Sequence, residues 1–179
     1  MHKGVELHEG HGEHGSDPLT LRVSVTIAIL AVLVAAITLL GHRTTTEELL
    51  LQAQATDQWA YYQAKNIRAH EMQGYADLLA VLAPQDKEKA AEAREKYLKE
   101  VERYGNDKDE IGDKARELEK ERDVMSRRGD RFDGGEVLLE IALVVCSITL
   151  LTKRTVFWYS GIFLGLLGVI VALTGFAVH

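Results

Sequence analysis

The sequence holds one cysteine, Cys146, and two prolines, Pro18 and Pro84, in 179 residues. A single thiol excludes an intrachain disulfide and a paired-cysteine metal site, and it leaves the redox compartment open. Proline locks φ and lacks an N–H, so it breaks helices; between Pro18 and Pro84 helix formers run on without one. Also missing are a Gly-rich loop joining strand to helix, an HExxH pair and any nucleophile–base set. The chain therefore reads as non-enzymatic and without a cofactor. Nor is there an excess of positive charge: 21 Lys and Arg are interleaved with 27 Asp and Glu, which argues against a nucleic-acid partner.

What is present is sharply segregated. Of the 48 charged residues, 37 lie between His42 and Phe132, so the remainder of the chain is left almost uncharged. Three apolar blocks result, Val23 to Leu40, Val137 to Thr152 and Thr155 to Val178. A helix needs about 20 mostly apolar residues to cross a bilayer, and these blocks approach or exceed that length. As buried core helices of a soluble protein they would need a larger polar shell than the chain supplies. The first block is also a poor signal peptide, because its leader is acidic and His-rich and no clean small-x-small site follows.

The expected fold is an all-α membrane protein, three transmembrane helices with a long antiparallel helical hairpin, a coiled-coil stalk, between the first and second. Residues 1–17 form a Gly- and His-rich tail expected to be disordered. The spans are expected at 18–41, 134–152 and 155–178, with the stalk at 42–133 and its arms at 45–83 and 85–131. Ser16 and Asp17 before Pro18 supply a helix start. The first arm should stop just before Pro84, since the residue ahead of a proline avoids the helical region. Nothing after Gly41 stops the first helix firmly, although Thr44-Thr45-Thr46 offers a new cap; Gly105-Asn106 is a weak spot in the second arm, and the glycines of RRGDRFDGG (127–135) permit a hinge where the stalk meets the bilayer. In the second arm Ala90, Tyr97, Val101, Tyr104, Ile111, Ala115, Leu118 and Met125 follow alternating three- and four-residue steps, with Arg94, Lys108 and Arg122 as polar members. The first arm's apolar residues, among them Leu49, Leu50, Ala60, Ala64, Ile67, Tyr75, Leu79 and Leu82, cover more than one narrow stripe, which implies more than one neighbour. Arms of about 40 residues give a hairpin roughly 60 Å long.

Orientation rests on the shortest loop, Lys153-Arg154, which the excess of positive charge on cytoplasmic loops places inside. The N-terminus then also lies in the cytoplasm, and the stalk and His179 lie outside. Arg43, Arg127, Arg128 and Arg131 at the stalk's membrane ends pull the other way.

Four groups of residues stand out. His8, His11 and His14 recur every three residues among acids, a spacing that can chelate Zn, Ni or Cu, while the bland reading is a solvated tail. Glu140 is the one charged side chain inside a span; it is expected as an interfacial carboxylate paired with Arg127, Arg128 or Arg131, or alternatively near a pore. Gly161, Gly165 and Gly168 let helices approach closely, within a chain or between chains. In DQWAYYQAK, Trp59 lies roughly 28 Å from Leu40 along a continuous helix, too far for a membrane belt. Trp59 and Tyr62 share a face and should pack the stalk, near 104–111 of the second arm. With Ile67, Tyr97, Tyr104, Ile111 and Leu118 they form the expected stalk and oligomer contacts.

TDQWAYYQAKNIRAH after the first span, and RGDRFDGGEVLLEIALVVCSITLLTKRTVFWYSGIFLGLLG at the end, resemble a family of small bacterial membrane proteins, domain of unknown function 4337. The resemblance covers the chain from about Leu21. It implies a three-span bacterial membrane protein with a helical insert, and it implies no activity, cofactor or site residue; the expected location is the inner membrane. The expected function is a homo-oligomeric scaffold or accessory subunit in the lipid bilayer, with a membrane-protein partner possible. An oligomeric channel with Glu140 near its pore is the alternative, and metal handling by the His cluster a weaker one.

Overall fold

The computed structural model describes residues 17–82 and 85–178, and they are all-helical: α1 (Pro18–Val81), α2 (Lys87–Thr152) and α3 (Thr155–Thr174), followed by a short 3-10 turn (Gly175–Ala177). Asp17 caps α1, its carboxylate accepting from the Leu19 amide at 3.2 Å, with Pro18 in the first helical position. Asp86 caps α2 in the same way, accepting from the Lys89 amide at 3.1 Å. Those bonds satisfy amides that the first turn of a helix leaves orphaned. The Lys89 amide bond also holds the Asp86 carboxyl below the usual carboxylate range. α1 ends three residues before Pro84.

Two of the helices are far longer than a membrane span, because each continues from its apolar part into its charged part without a break. α1 runs unbroken through Gly41, and the hydroxyls of Thr44, Thr45 and Thr46 donate back to the carbonyls of Leu40, Gly41 and His42. Satisfied within the helix, those threonines do not compete for a new start. α2 likewise passes through Gly105, Gly129, Gly134 and Gly135 without a break, so the boundaries expected at 41/42 and 133/134 fall inside helices. All three helices are long and apolar enough to cross a membrane by length and composition: α1 in its N-terminal part, α2 in its C-terminal part, α3 throughout.

α1 and α2 run antiparallel along their contacts. Lys153 reaches Thr20, Glu136 reaches Thr38, Arg122 reaches Gln52, Asp107 reaches Lys65 and Tyr97 stacks near Tyr75, so one number falls as the other rises. The buried positions of α1 recur at seven-residue intervals at Val23, Leu30, Ile37 and Thr44, with Gly41 between the last two; Ala55 and Ala76 follow, three such intervals apart. On α2 the register through Ile111 and Ala115 continues to Gly129 and Phe132, while Arg94 lies exposed.

α3 packs on α2 rather than on α1. Its buried residues Gly161, Gly165, Gly168 and Ala172 alternate in four- and three-residue steps and face Cys146, Ala142, Leu139 and Gly135. Lys153, with φ 55°, and Arg154 make the two-residue connection. Phe132, 2% exposed, closes the other end against Phe176, ring centroids 5.3 Å apart.

Gly74 and Gly105 lie in helix with nothing within 4 Å of the place a Cβ would take. Glycine in a helix interior costs roughly 0.5–1 kcal/mol relative to alanine. Gly74→Ala and Gly105→Ala are each expected to stabilise the fold by about that amount, read as a higher midpoint in thermal unfolding followed by circular dichroism.

Candidate functional site

The charged halves of α1 and α2 meet through small residues. Ala55, Ala76 and Ala115 are almost fully buried, and Gly112 receives the Tyr62 ring, whose Cε2 lies 3.3 Å from the position of a Cβ there. Close approach by alanine and glycine leaves the larger side chains at the rim or outside. At the rim, Trp59 stacks edge-on against Tyr62 at 5.4 Å and donates its indole N–H to Glu119 Oε1 at 2.8 Å. Trp59 thus meets α2 beyond the expected 104–111 stretch, because continuous helices fix the register all the way from the apolar end. No ring fills the space beside Gly105. Trp59→Phe keeps the ring stack but leaves Glu119 without its donor. A half-exposed bond of this kind is worth about 0.5–1.5 kcal/mol, expected as a matching loss in thermal or urea unfolding.

One turn further along α1, Lys65 Nζ donates to Asp107 Oδ2 at 2.7 Å, with the Tyr104 ring centroid 5.2 Å away and the Tyr61 centroid at 5.3 Å. The Asp107 bond holds the Lys65 ammonium above the usual lysine range; partial desolvation opposes this and Tyr61 adds to it. A pKa raised on folding contributes stability below the unfolded value and loses it as pH rises through the folded one. The Lys65–Asp107 contribution is therefore constant across neutral pH and is lost as pH rises through the lysine range. Lys108 sits over Tyr62 at 5.5 Å, and Tyr97 lies 5.7 Å from Tyr75, so Tyr97 and Tyr104 both face α1. Ile111 is buried and Leu118 half-buried on the same register, whereas Ile67 points away, 58% exposed.

Ile67 belongs to a face of α1 that α2 does not cover. Leu50, Ala53, Ala60, Ala64, Ile67, Leu78 and Leu82 are all exposed and follow the helical repeat, interrupted by Asp57 and Glu71. The outward face of α2 is the opposite, with Glu95, Glu102, Asp109, Asp113 and Glu117 exposed. Eight of the 41 residues from 42 to 82 are charged, against 30 of the 49 from 85 to 133, so the two helices are built for different surroundings. α2 suits water; the outer stripe of α1 is an apolar face of the kind that marks an interaction site.

In the apolar part, Gly161, Gly165 and Gly168 pack within the chain. A Cβ on Gly161 would strike Cys146 Sγ, one on Gly165 would lie 2.8 Å from Leu30 Cδ2, and one on Gly168 would lie 2.9 Å from the Gly135 carbonyl oxygen. The acidic pair divides in a way the sequence reading missed. Glu136 accepts from the Thr38 hydroxyl at 2.6 Å across the α1–α2 contact, while Glu140 is exposed. Among the described residues Glu140 pairs with none of Arg127, Arg128 or Arg131; Arg128 donates instead to the Val178 carbonyl at 3.3 Å. Helix rotation decides this: the arginines stand two to three turns back along α2, and the turn at the chain's C-terminal end takes up Arg128.

His8, His11 and His14 lie outside the described residues. Among the described residues no group of three or more His, Cys, Asp or Glu side chains is placed to hold a metal ion. The arrangement therefore offers surfaces: an apolar stripe of leucine, isoleucine and alanine on one long helix, and a glycine-lined helix contact. No curated protein and no solved structure matches the chain. A family model does match over residues 19–178, nearly the whole sequence, and the chain belongs to that family, described as a domain of unknown function (DUF4337).

Proposed function

We propose that the chain is a non-enzymatic integral membrane protein of the bacterial inner membrane, a homo-oligomeric scaffold or accessory subunit that associates through its stalk. The apolar segments of α1, α2 and α3 are its spans, and the charged halves of α1 and α2 are an antiparallel coiled-coil hairpin. The observation that carries this reading is the uncovered face of α1 from Leu50 to Leu82. The α1–α2 contact closes on alanine and glycine of α1 and α2 with Ile111, and leaves Leu50, Ile67 and Leu78 of α1 outside, so a second contact is needed to take those side chains from water. Continuous α1 helices of neighbouring copies, inserted the same way, bring like levels of that face together. α2 then lies outermost, where its charge belongs.

Two facts bear on orientation. Lys153-Arg154 lies beside Asp17 and Thr20, so the N-terminal helix end and the basic turn share one side, which we assign to the cytoplasm. The stalk is accordingly extracytoplasmic. The mass of the protein extracted in mild detergent, measured by native mass spectrometry, tests the association: a fixed multiple of one chain is expected, and a single chain at all concentrations rejects it.

A second reading has its own support. Glu140 is exposed on α2, and Ser147 stands seven residues further along the same helix face. Carboxylates are costly in lipid and cheap beside water, as a ring of copies around a pore would provide. Cation flux through liposomes holding the purified protein, lost in Glu140→Gln, distinguishes a conducting assembly from a scaffold.

A further inference from the structure

We propose that the groove between α1 and α3 binds one anionic phospholipid, an acyl chain lying along the groove and the phosphate held at its basic end. The proposal rests on the membrane reading above. α1 and α3 each pack on α2, and between them they leave a groove lined by Thr26, Ile29, Leu30, Leu33, Ile162 and Val169. From Thr26 to Leu33 it is about 10 Å long and almost wholly apolar. The Trp158 indole N–H donates to Thr26 Oγ1 at 3.0 Å and bridges the two helices at one end.

What lies beyond that bridge selects the occupant. Arg22 stands one turn before Thr26, and Arg154 is the residue just before the first turn of α3. The two arginines are 132 residues apart in sequence, the same offset as Thr26 and Trp158, so they come level with each other. Lys153 is fixed at this level by its bond to Thr20 at 2.8 Å. Asp17, 3.9 Å from Lys153, is the single acid there among the described residues, so positive charge predominates. Both arginines are exposed.

An apolar groove ending in two guanidiniums and an ammonium matches a lipid with an acyl tail and an anionic head. A second copy of the chain fits poorly, because copies inserted in the same direction would set Arg22, Lys153 and Arg154 against the same three cations. The cytoplasmic leaflet, to which this end is assigned, is the anionic one.

The test uses the full chain in nanodiscs of equal phosphatidylglycerol and phosphatidylethanolamine, with native mass spectrometry of the released protein. The wild type is expected to keep one phosphatidylglycerol per chain in preference to phosphatidylethanolamine. Arg22→Ala with Arg154→Ala, both at exposed positions, should weaken that retention about 30-fold. Ile162→Trp, which fills the groove and leaves the charges alone, should abolish it. Equal retention of both lipids, unchanged retention in the arginine variant, or a disulfide between copies through Ile162→Cys would each overturn the site. Release of the protein from membranes by alkaline carbonate would overturn the membrane reading and the site together. Firm membrane retention without lipid selectivity overturns the site alone.

Discussion

Gly161→Leu is expected to part α3 from α2. The Gly161 Cα sits so close to α2 that even a methyl group would overlap Cys146 Sγ and come within 3.0 Å of the Ala142 carbonyl oxygen. Neither neighbour can swing aside as the end of a long side chain would, since one is held in a buried seam and the other is helix backbone. Overpacking typically costs about 1–3 kcal/mol, and more where backbone has to move. In a bilayer no hydrophobic force between helices offsets that loss, because lipid is as apolar as the seam. The variant should unfold at lower temperature in detergent, and Cys146, buried in the wild type, should become open to alkylation by a maleimide. Ser160→Leu, one residue away on the exposed side of α3, adds the same bulk and should change neither readout.

Ile67→Glu combined with Leu78→Glu should reduce the assembly to single chains. Both side chains are more than half exposed on α1 and stand clear of the α2 contact, so helicity and the Trp59–Glu119 bond should survive. Within an assembly they would instead bring carboxylates of neighbouring copies together in an apolar seam. Burying an unpaired charge costs several kcal/mol, so association should weaken at least about 100-fold. Asp57 and Glu71 already interrupt this face, and Arg68 lies three residues before Glu71. A neighbour can therefore be met by charges of both signs at the level of Glu71, whereas two new acids at 67 and 78 find no such partner. A particle of unchanged mass would remove this face from the interface.

The helix starts were legible because capping is local: Asp17-Pro18 and Asp86 carry their chemistry within three residues. The apolar blocks were legible because length and lack of charge are one-dimensional properties. Gly41, Gly129 and Gly135 were harder, since the permissiveness that lets glycine bend a chain also lets another helix come close. Only the partner decides. Asp133 Oδ1 stands 3.3 Å, and Ala172 Cβ 2.7 Å, from the Cβ positions of Gly41 and Gly135, so those residues serve contact and the helices run unbroken through them. Glu136 and Glu140 could not be told apart for a similar reason. They are one turn apart, and which of them meets Thr38 depends on the rotation of α2, set by the glycine seam with α3. The breadth of the apolar surface on the first arm was visible in the sequence. Which half of it α2 leaves bare follows from alanine and glycine closing the α1–α2 contact.

The central claim, that copies meet through the outer face of α1, is tested most directly by Ile67→Cys oxidised in native membranes. The native Cys146 is buried in the α2–α3 seam, so the wild type serves as the unlinked reference. A disulfide-linked dimer is expected from Ile67→Cys and none from Asp113→Cys on the charged face of α2. No dimer from Ile67→Cys, or an equal yield from Asp113→Cys, would contradict it.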